Sequence, residues 1–387
     1  MYLEKITAIS KEEIKQSISK ALAVLNKDAE VFTGEVFKPA VSNNNVYPQA
    51  KNNDWTNGFH TGQYWLAWEL SGSELIKDAA LSHVSDFHSR IIKRVVVDHH
   101  DMGFLYTLSC VAAWKLAQNQ QGKDAAIMAA DNLASRFHKK GGFIQAWGTL
   151  GAKDNYRLII DCLMNLPLLY WAYDETGLVH YKDIADTHLE TSLKHLIRED
   201  YSAYHTFYFD PETGDALRGV TAQGYKDSSP WARGQAWGIY GLALAYKYTQ
   251  NRECIELYKK ITDFFLARLP EDGVCYWDLD FSDGDGEPKD SSAAVIAACG
   301  MLEMARLLDD PNMSEKYAGF AKRIAGALAR GYLADENSNG LLLHGVYAKK
   351  SPYNTVNNSG VDECTIWGDY FWLELLMRLS NDWDMYW

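Results

Sequence analysis

Two aspartates, Asp101 and Asp161, stand sixty residues apart, each at the start of an apolar segment. Asp161 lies inside NYRLIIDCLMNLPLLYWAY, with Leu158, Ile159 and Ile160 before it and Cys162, Leu163 and Met164 after. A carboxylate in such company is costly unless it is paired, protonated or solvated by a cleft. Pro167 is at home only in a first helical turn, where its missing N–H has no partner. A helix holding Leu168–Tyr173 therefore begins shortly before Pro167, with Asp161 and Asn165 at its mouth. Asp101 sits in DHHDMGF, where Gly103 permits close backbone approach. Paired carboxylates are the usual equipment of glycosidic acid–base chemistry. The residue types alone leave plainer readings open: helix caps, or a buried ion pair at Asp161.

The two carboxylates should differ. A helix N-terminus lowers a carboxyl pKa by less than one unit if it is worth about 0.3–1 kcal/mol. Apolar burial and a second carboxylate raise it by several units. Asp161, with apolar flanks, is expected to hold a proton. Asp101, beside His99 and His100, is expected to ionise more readily.

Helices must position these groups, because the dominant periodicity is helical. Twelve are expected, at about Lys11–Asn26, Gly58–Ser71, Ser73–Arg94, Asp101–Ala117, Gly122–Lys139, Asp161–Glu175, Leu178–Arg198, Trp231–Thr249, Arg252–Leu269, Ser291–Leu308, Ser314–Leu333 and Trp367–Leu379. Half are apolar nearly all round, such as WARGQAWGIYGLALAY and SSAAVIAACGMLEMA; the others carry one charged face, such as EKYAGFAKRIAGALARGYL. The first kind suits an inner position and the second an outer one. Their alternation predicts an all-α fold, an (α/α)6 barrel, with residues 1–387 as a single catalytic domain. The loops NNDWTNG, VVDHHDMG, AKDNYR, YKDSSPWARG, GEPKDSS and DECTIWGD each precede an inner helix, so they should converge at one end. Exposed helix N–H groups make that end receptive to an anion. A cleft there lined by Trp, Asp, His, Gln and Arg suits a sugar acid.

Composition narrows the partners. The 387 residues carry a net charge of −13, which argues against nucleic acid and against long polyanions held on a broad basic face. A small anion held by one or two local cations remains compatible. The 13 Trp and 23 Tyr supply flat faces with polar edges, which suit sugar rings. The six cysteines show no metal spacing, and three lie in apolar helical runs, so a reducing compartment is expected. The first residues have early charges and no apolar h-region, and no apolar run reaches transmembrane length. A cytoplasmic protein is the expectation. DHHD does not read as a metal site, because adjacent residues rarely ligate one ion and no second cluster supports it. DLDFSDGDGEPKD fails as a calcium loop at Ser282 and Asp283. Nucleophile-elbow, dinucleotide and P-loop patterns are absent.

Several motifs together resemble the unsaturated glucuronyl hydrolases, glycoside hydrolase family 88, over essentially the whole chain. They are DHHDMGF with Asp101, RLIIDCLMNLPLLYWA with Asp161, SPWARGQAWGIYGL with Arg233 and Trp237, NNDWTNGF with Trp55, YHTFYF with His205, TAQGY with Gln223, and TIWGDYFWLELL. The resemblance implies an (α/α)6 barrel. It also implies hydrolysis of lyase-generated oligosaccharides bearing a C4=C5 unsaturated uronic acid at the non-reducing end, by hydration of the vinyl ether. On it, Asp161 is the general acid/base, and Asp101 binds ring hydroxyls and supports the charge state of Asp161. Trp55 and Trp237 stack on sugar; His205, Gln223 and Arg233 supply donors; His100 joins the substrate-binding set. No cofactor is implied, since an enol ether needs only proton transfer and water. Short substrates are expected from the negative charge. Alternatives are an unsaturated rhamnogalacturonyl hydrolase, with the same barrel and pectin fragments as substrate, and a non-catalytic glycan-binding barrel. Ala348–Asp362, with Lys349, Lys350, Asn354 and Ser359, is expected to reach the leaving sugar.

Overall fold

The computed structural model describes residues 2–349 and 360–387. Within them, after a short 3-10 helix at Tyr2–Lys5, the chain forms twelve longer helical stretches: α1 (Lys11–Val31), α2 (Asn57–Ser71), α3 (Glu74–Ile92), α4 (residues 102–117), α5 (Gln120–Ala134), α6 (residues 162–176), α7 (Val179–Leu196), α8 (Ala232–Thr249), α9 (Arg252–Ala267), α10 (Ser291–Leu307), α11 (Pro311–Gly331) and α12 (Ile366–Ser380). The even-numbered helices line the inside and the odd-numbered ones wrap them, giving the (α/α)6 barrel. The burial pattern follows the sequence pattern. Every residue of α8 from Ala232 to Ala245 is buried. The outer α9 buries Cys254, Tyr258, Ile261, Thr262, Phe265 and Leu266, one stripe at helical spacing.

Two inner helices are irregular near the aspartates. Helix α4 contains a π turn at Thr107–Val111, where a continuous helix was expected. Helix α6 starts as Cys162–Asn165, then restarts at Pro167–Thr176 with the proline in its first turn. Gly103 explains how the two mouths meet: a Cβ there would lie 2.4 Å from Asn165 Cα, so no larger residue permits this approach.

Short strands interrupt the helical pattern: β1 (Phe137–His138), β2 (Phe143–Ile144), β3 (Arg157–Ile159), β4 (Thr206–Phe209), β5 (Ala216–Val220), β6 (Gly345–Val346) and β7 (Val361–Glu363). Helical periodicity did not signal them, because segments of two to five residues are too short to establish a period of two. The antiparallel sheet β3-β4-β5 matters most. Strand β3 feeds Asp161, β4 follows His205, and β5 precedes Gln223, so one small sheet places three candidate site residues.

The opposite end is sealed by a buried charge network. Arg378 donates to Glu374 (2.9 Å), Glu303 (2.8 Å) and the Tyr240 hydroxyl (2.6 Å). Trp387, fully buried, donates to Glu374 at 2.9 Å and lies parallel to Phe371. No helix among the described residues is long and apolar enough to cross a membrane. Removing one partner of a buried ion pair strands the other charge, which costs about 3–5 kcal/mol. Arg378→Ala should therefore lower the thermal unfolding midpoint markedly, measured by calorimetry, through the stranded Glu303 and Glu374.

Candidate active site

The six loops before the inner helices meet at one end of the barrel, and their side chains contact one another around the ring. Trp55, before α2, stacks on Trp367 of α12, with centroids 5.6 Å apart. Trp367 donates to Ser292 of α10 at 2.9 Å. Asp290, capping α10, receives Arg233 of α8 at 2.9 Å. His100, before α4, bridges toward Asp161 at the mouth of α6. The convergence expected from the loop sequences is present.

At the centre, His100 Nε2 lies 3.4 Å from Asp101 Oδ1 and 3.3 Å from Asp161 Oδ1. Neither aspartate makes a side-chain capping hydrogen bond, so the helix-cap reading fails for both. Neither has a lysine or arginine ion-pair partner among the described residues, so the buried ion pair fails too. Asn165 stitches the two helix mouths together. Its Oδ1 accepts Phe104 N–H at 2.9 Å and its Nδ2 donates to the Asp161 carbonyl at 3.2 Å.

One imidazole and two carboxyls place ligand atoms within 4.8 Å of one another. Two full negative charges at that distance repel by roughly 3.5 kcal/mol at an effective dielectric of 20. That exceeds the about 0.3–1 kcal/mol a helix N-terminus returns, so ionisation of the second carboxyl is opposed. Burial, then the charge of Asp101, holds the Asp161 carboxyl well above the usual range, against a smaller downward pull from Arg233. Burial, then Asp54, also raises Asp101, while the facing Trp147, Arg136 and Asn165 side chains pull it down. Asp101 thus departs from the expectation of ready ionisation. Its histidine neighbours are themselves buried and neutral: burial pushes His99 down to about 3 and His100 well below its ordinary value. The two carboxyls still differ in access. The Asp161 side chain is 15% exposed and that of Asp101 only 2%, so Asp161 faces the cleft and Asp101 backs it. The same three groups have a spacing that a divalent ion could occupy.

Arg233 departs from its expected role. Its Nη1 serves Asp290 and the Val346 carbonyl, and its Nη2 serves Gln223 Oε1 and the Tyr347 carbonyl, both at 2.7 Å. Four of its five donors are taken up by the protein, and its guanidinium is sandwiched between Trp231 (4.5 Å) and Trp367 (4.9 Å). It acts on the site by holding the Gln223 amide oxygen, which leaves the Gln223 nitrogen free of that contact. His205 is buried and neutral, with burial holding it near 3; its Nδ1 pairs with Thr206 Oγ1 at 2.6 Å and its carbonyl accepts Ile160 N–H beside Asp161. Trp55 is half-buried at the rim, with its indole N–H on the Tyr347 hydroxyl at 3.3 Å. Trp237 differs from the expectation. It is 1% exposed and packs against Phe104 and Phe371, which leaves almost no face for a sugar ring.

Other residues at the site escaped the sequence reading. Asp290 lies in GEPKDSS, one of the convergent loops, but was not singled out there, and Tyr347 comes from a loop with no chemical motif. Trp147 stacks on His99 at 4.3 Å from a loop beyond α5, which nothing local signals. Asn165, by contrast, was already placed beside Asp161 at the helix mouth by the sequence, four residues on and on the same face. Lys349 pairs with Glu287, whereas Lys350, Asn354 and Ser359 lie outside the described residues.

This geometry has known counterparts. Residues 33–366 match the family described as Glycosyl Hydrolase Family 88. Over 386 residues the chain is 46% identical to an unsaturated chondroitin disaccharide hydrolase of Streptococcus pneumoniae, covering 99% of this chain and 96% of that one. It is 42% identical over 377 residues to an unsaturated glucuronyl hydrolase of Bacillus sp. (strain GL1), covering 96% and 98%. A crystal structure of an unsaturated glucuronyl hydrolase from Streptococcus agalactiae is similar at a TM-score of 0.94 and 45% identity, covering 100% of this chain and 96% of that chain. A mutant of that enzyme complexed with dGlcA-GalNAc6S is similar at a TM-score of 0.87 and 42% identity, with the same coverage. Likeness through the whole ring of helices, with the convergent loops included, identifies the chain as a glycoside hydrolase that belongs to glycosyl hydrolase family 88.

Proposed function

We propose that this enzyme removes a C4=C5 unsaturated uronic acid from the non-reducing end of short, lyase-generated oligosaccharides, by hydrating the double bond. The observation that carries the reading is the pair of carboxyls, Asp161 and Asp101, set 3.3 and 3.4 Å from one buried His100 nitrogen, with Asp161 the more exposed of the two. Unsaturated chondroitin disaccharides are the first substrates to consider, given the names of the relatives. The same names favour this reading over the rhamnogalacturonyl alternative.

In this reading Asp161 delivers its proton to C4 of the enol ether. Positive charge develops at C5 and the ring oxygen, and the ionised Asp161 then draws a proton from the water that adds at C5. The hemiketal opens, and the remaining sugar leaves with an open-chain keto acid. His100, neutral and buried, lies within reach of both carboxyls. Asp101, set behind Asp161, keeps the Asp161 pKa high. Gln223 and His205 present donors to the substrate, and Trp55 with Tyr347 forms the rim. The proton and water suffice, so no cofactor enters. We place the enzyme in the cytoplasm, where its six free and buried cysteines are stable as thiols.

Three outcomes test this reading. Absorbance of the conjugated double bond in an unsaturated chondroitin disaccharide should decay with the wild type. Asp161→Asn should slow that decay by about 10²–10⁴-fold, the usual weight of a general acid; equal decay in both proteins would move the proton donor elsewhere. Activity needs protonated Asp161, so kcat/KM should fall as pH rises through the raised pKa. In Asp101→Asn, which removes the repelling charge, that descending limb should shift to lower pH.

Stability gives the third outcome. A carboxyl raised by folding contributes stability below its unfolded pKa of about 4, and this is lost as pH rises toward the folded value. Asp161→Asn has no such loss. Its melting temperature relative to wild type should therefore climb from about pH 4 upward, as read by calorimetry across a pH series. A constant difference would show that Asp161 is not protonated in the folded protein.

A further inference from the structure

We infer that the outer face of the sheet β3-β4-β5 is an anion subsite, in which Arg157, Tyr208 and Arg218 read a sulfate ester or carboxylate on the sugar portion released by the reaction. The inference rests on the substrate reading above and extends it.

The strand register places the three residues in one row. Arg157 pairs with Tyr208, and Tyr208 pairs with Arg218, so all three side chains stand on the same face as cross-strand neighbours. Arg157 Nη1 donates to the Tyr208 hydroxyl at 2.7 Å. The two guanidinium groups lie 5.6 and 5.3 Å from the tyrosine ring, one on each side in the sheet. Alternation sends Leu158 and Phe207 to the opposite face, where Leu158 is completely buried. The row is therefore not part of the core.

Its place relative to the chemistry follows from the chain. Arg157 is four residues from Asp161, a span of at most about 14 Å between Cα atoms, which a long arginine side chain shortens. The charge of Arg157 also helps depress His100, which lies 3.3 Å from Asp161, and His205, whose carbonyl accepts the N–H of Ile160 beside Asp161. The row begins beside the reacting end and runs outward to the exposed Arg218.

Its chemistry is that of unused charge. Arg233 has four donors engaged by the protein, whereas Arg157 Nε is buried without a hydrogen-bond partner among the described residues. Neither Arg157 nor Arg218 forms an ion pair among those residues. In a chain of net charge −13, two arginines left unpaired around one tyrosine suit an external oxyanion. A guanidinium binds such a group through paired N–H donors, and a tyrosine hydroxyl can complete the contact.

The test measures binding to Asp161→Asn protein by titration calorimetry, with three ligands: an unsulfated unsaturated disaccharide, the same disaccharide sulfated on the amino sugar, and an unsulfated unsaturated tetrasaccharide. Adding Arg157→Gln should weaken the acidic-group ligand about tenfold, the usual weight of hydrogen bonds to a charged group. Adding Arg218→Ala should weaken it less and flatten its salt dependence, because that side chain is exposed. Tyr208→Phe, which keeps the ring, is the control for lost packing and should show an intermediate loss. Loss confined to the sulfated disaccharide identifies a sulfate; loss confined to the tetrasaccharide identifies the next uronate. Equal loss on all three ligands, or loss on none, overturns the inference. Absence of binding by any ligand to Asp161→Asn overturns the substrate reading itself, and the inference with it.

Discussion

Two carboxyl groups held within reach of one neutral imidazole, in a dry setting that opposes the ionisation of both, are the constraint on which the rest of this structure depends. Repulsion at that distance outweighs the favourable helix N-termini several-fold, so ionisation of the second carboxyl is opposed. Everything nearby serves to keep the three groups together. Gly103 lets α4 touch α6, and Asn165 ties Phe104 to Asp161. The π turn in α4 falls just inside the same mouth; such turns gather at functional sites.

The barrel makes this arrangement possible by bringing six helix N-termini to one end. There each loop holds its neighbour, from Trp55 through Trp367 and Ser292 to Asp290, Arg233 and Gln223. A buried arginine with four partners and two indole faces cannot swing. Its rigidity passes to Gln223, a group with a donor to spare. The cations thus divide into two kinds. Arg233 holds the architecture, and those beyond it remain open.

The two ends of the barrel solve opposite problems with similar residues. At the far end, Arg378 satisfies Glu303, Glu374 and Tyr240, and Trp387 covers them. That network is fully paired and dry. At the cleft end, His100, Asp101 and Asp161 have side-chain atoms that are buried and unpaired. Unsatisfied polar atoms are costly in a core. Single unpaired atoms occur elsewhere in the barrel, but here three adjoining titratable side chains share the condition, and that clustering marks the site.

The helical barrel was legible in the sequence because inner and outer helices differ in how many faces are apolar, and that difference repeats six times. The two aspartates were legible because each breaks an apolar run at a helix start. The family resemblance gathered Trp55, His205, Gln223, Arg233 and Trp237 as stacking faces and donors, roles that the packing around Arg233 and Trp237 does not leave open to those two. Only the tertiary structure decided that Arg233 is saturated, that Trp237 is packed, and that Asp101 is as dry as its histidine neighbours are neutral. It alone revealed the strands around Asp161 and the placing of Trp147, Asp290 and Tyr347. The physical reason is range. Periodicity and caps are set by residues within a turn or two of one another, whereas donor occupancy, burial and pKa depend on partners far away along the chain, which a linear pattern does not record.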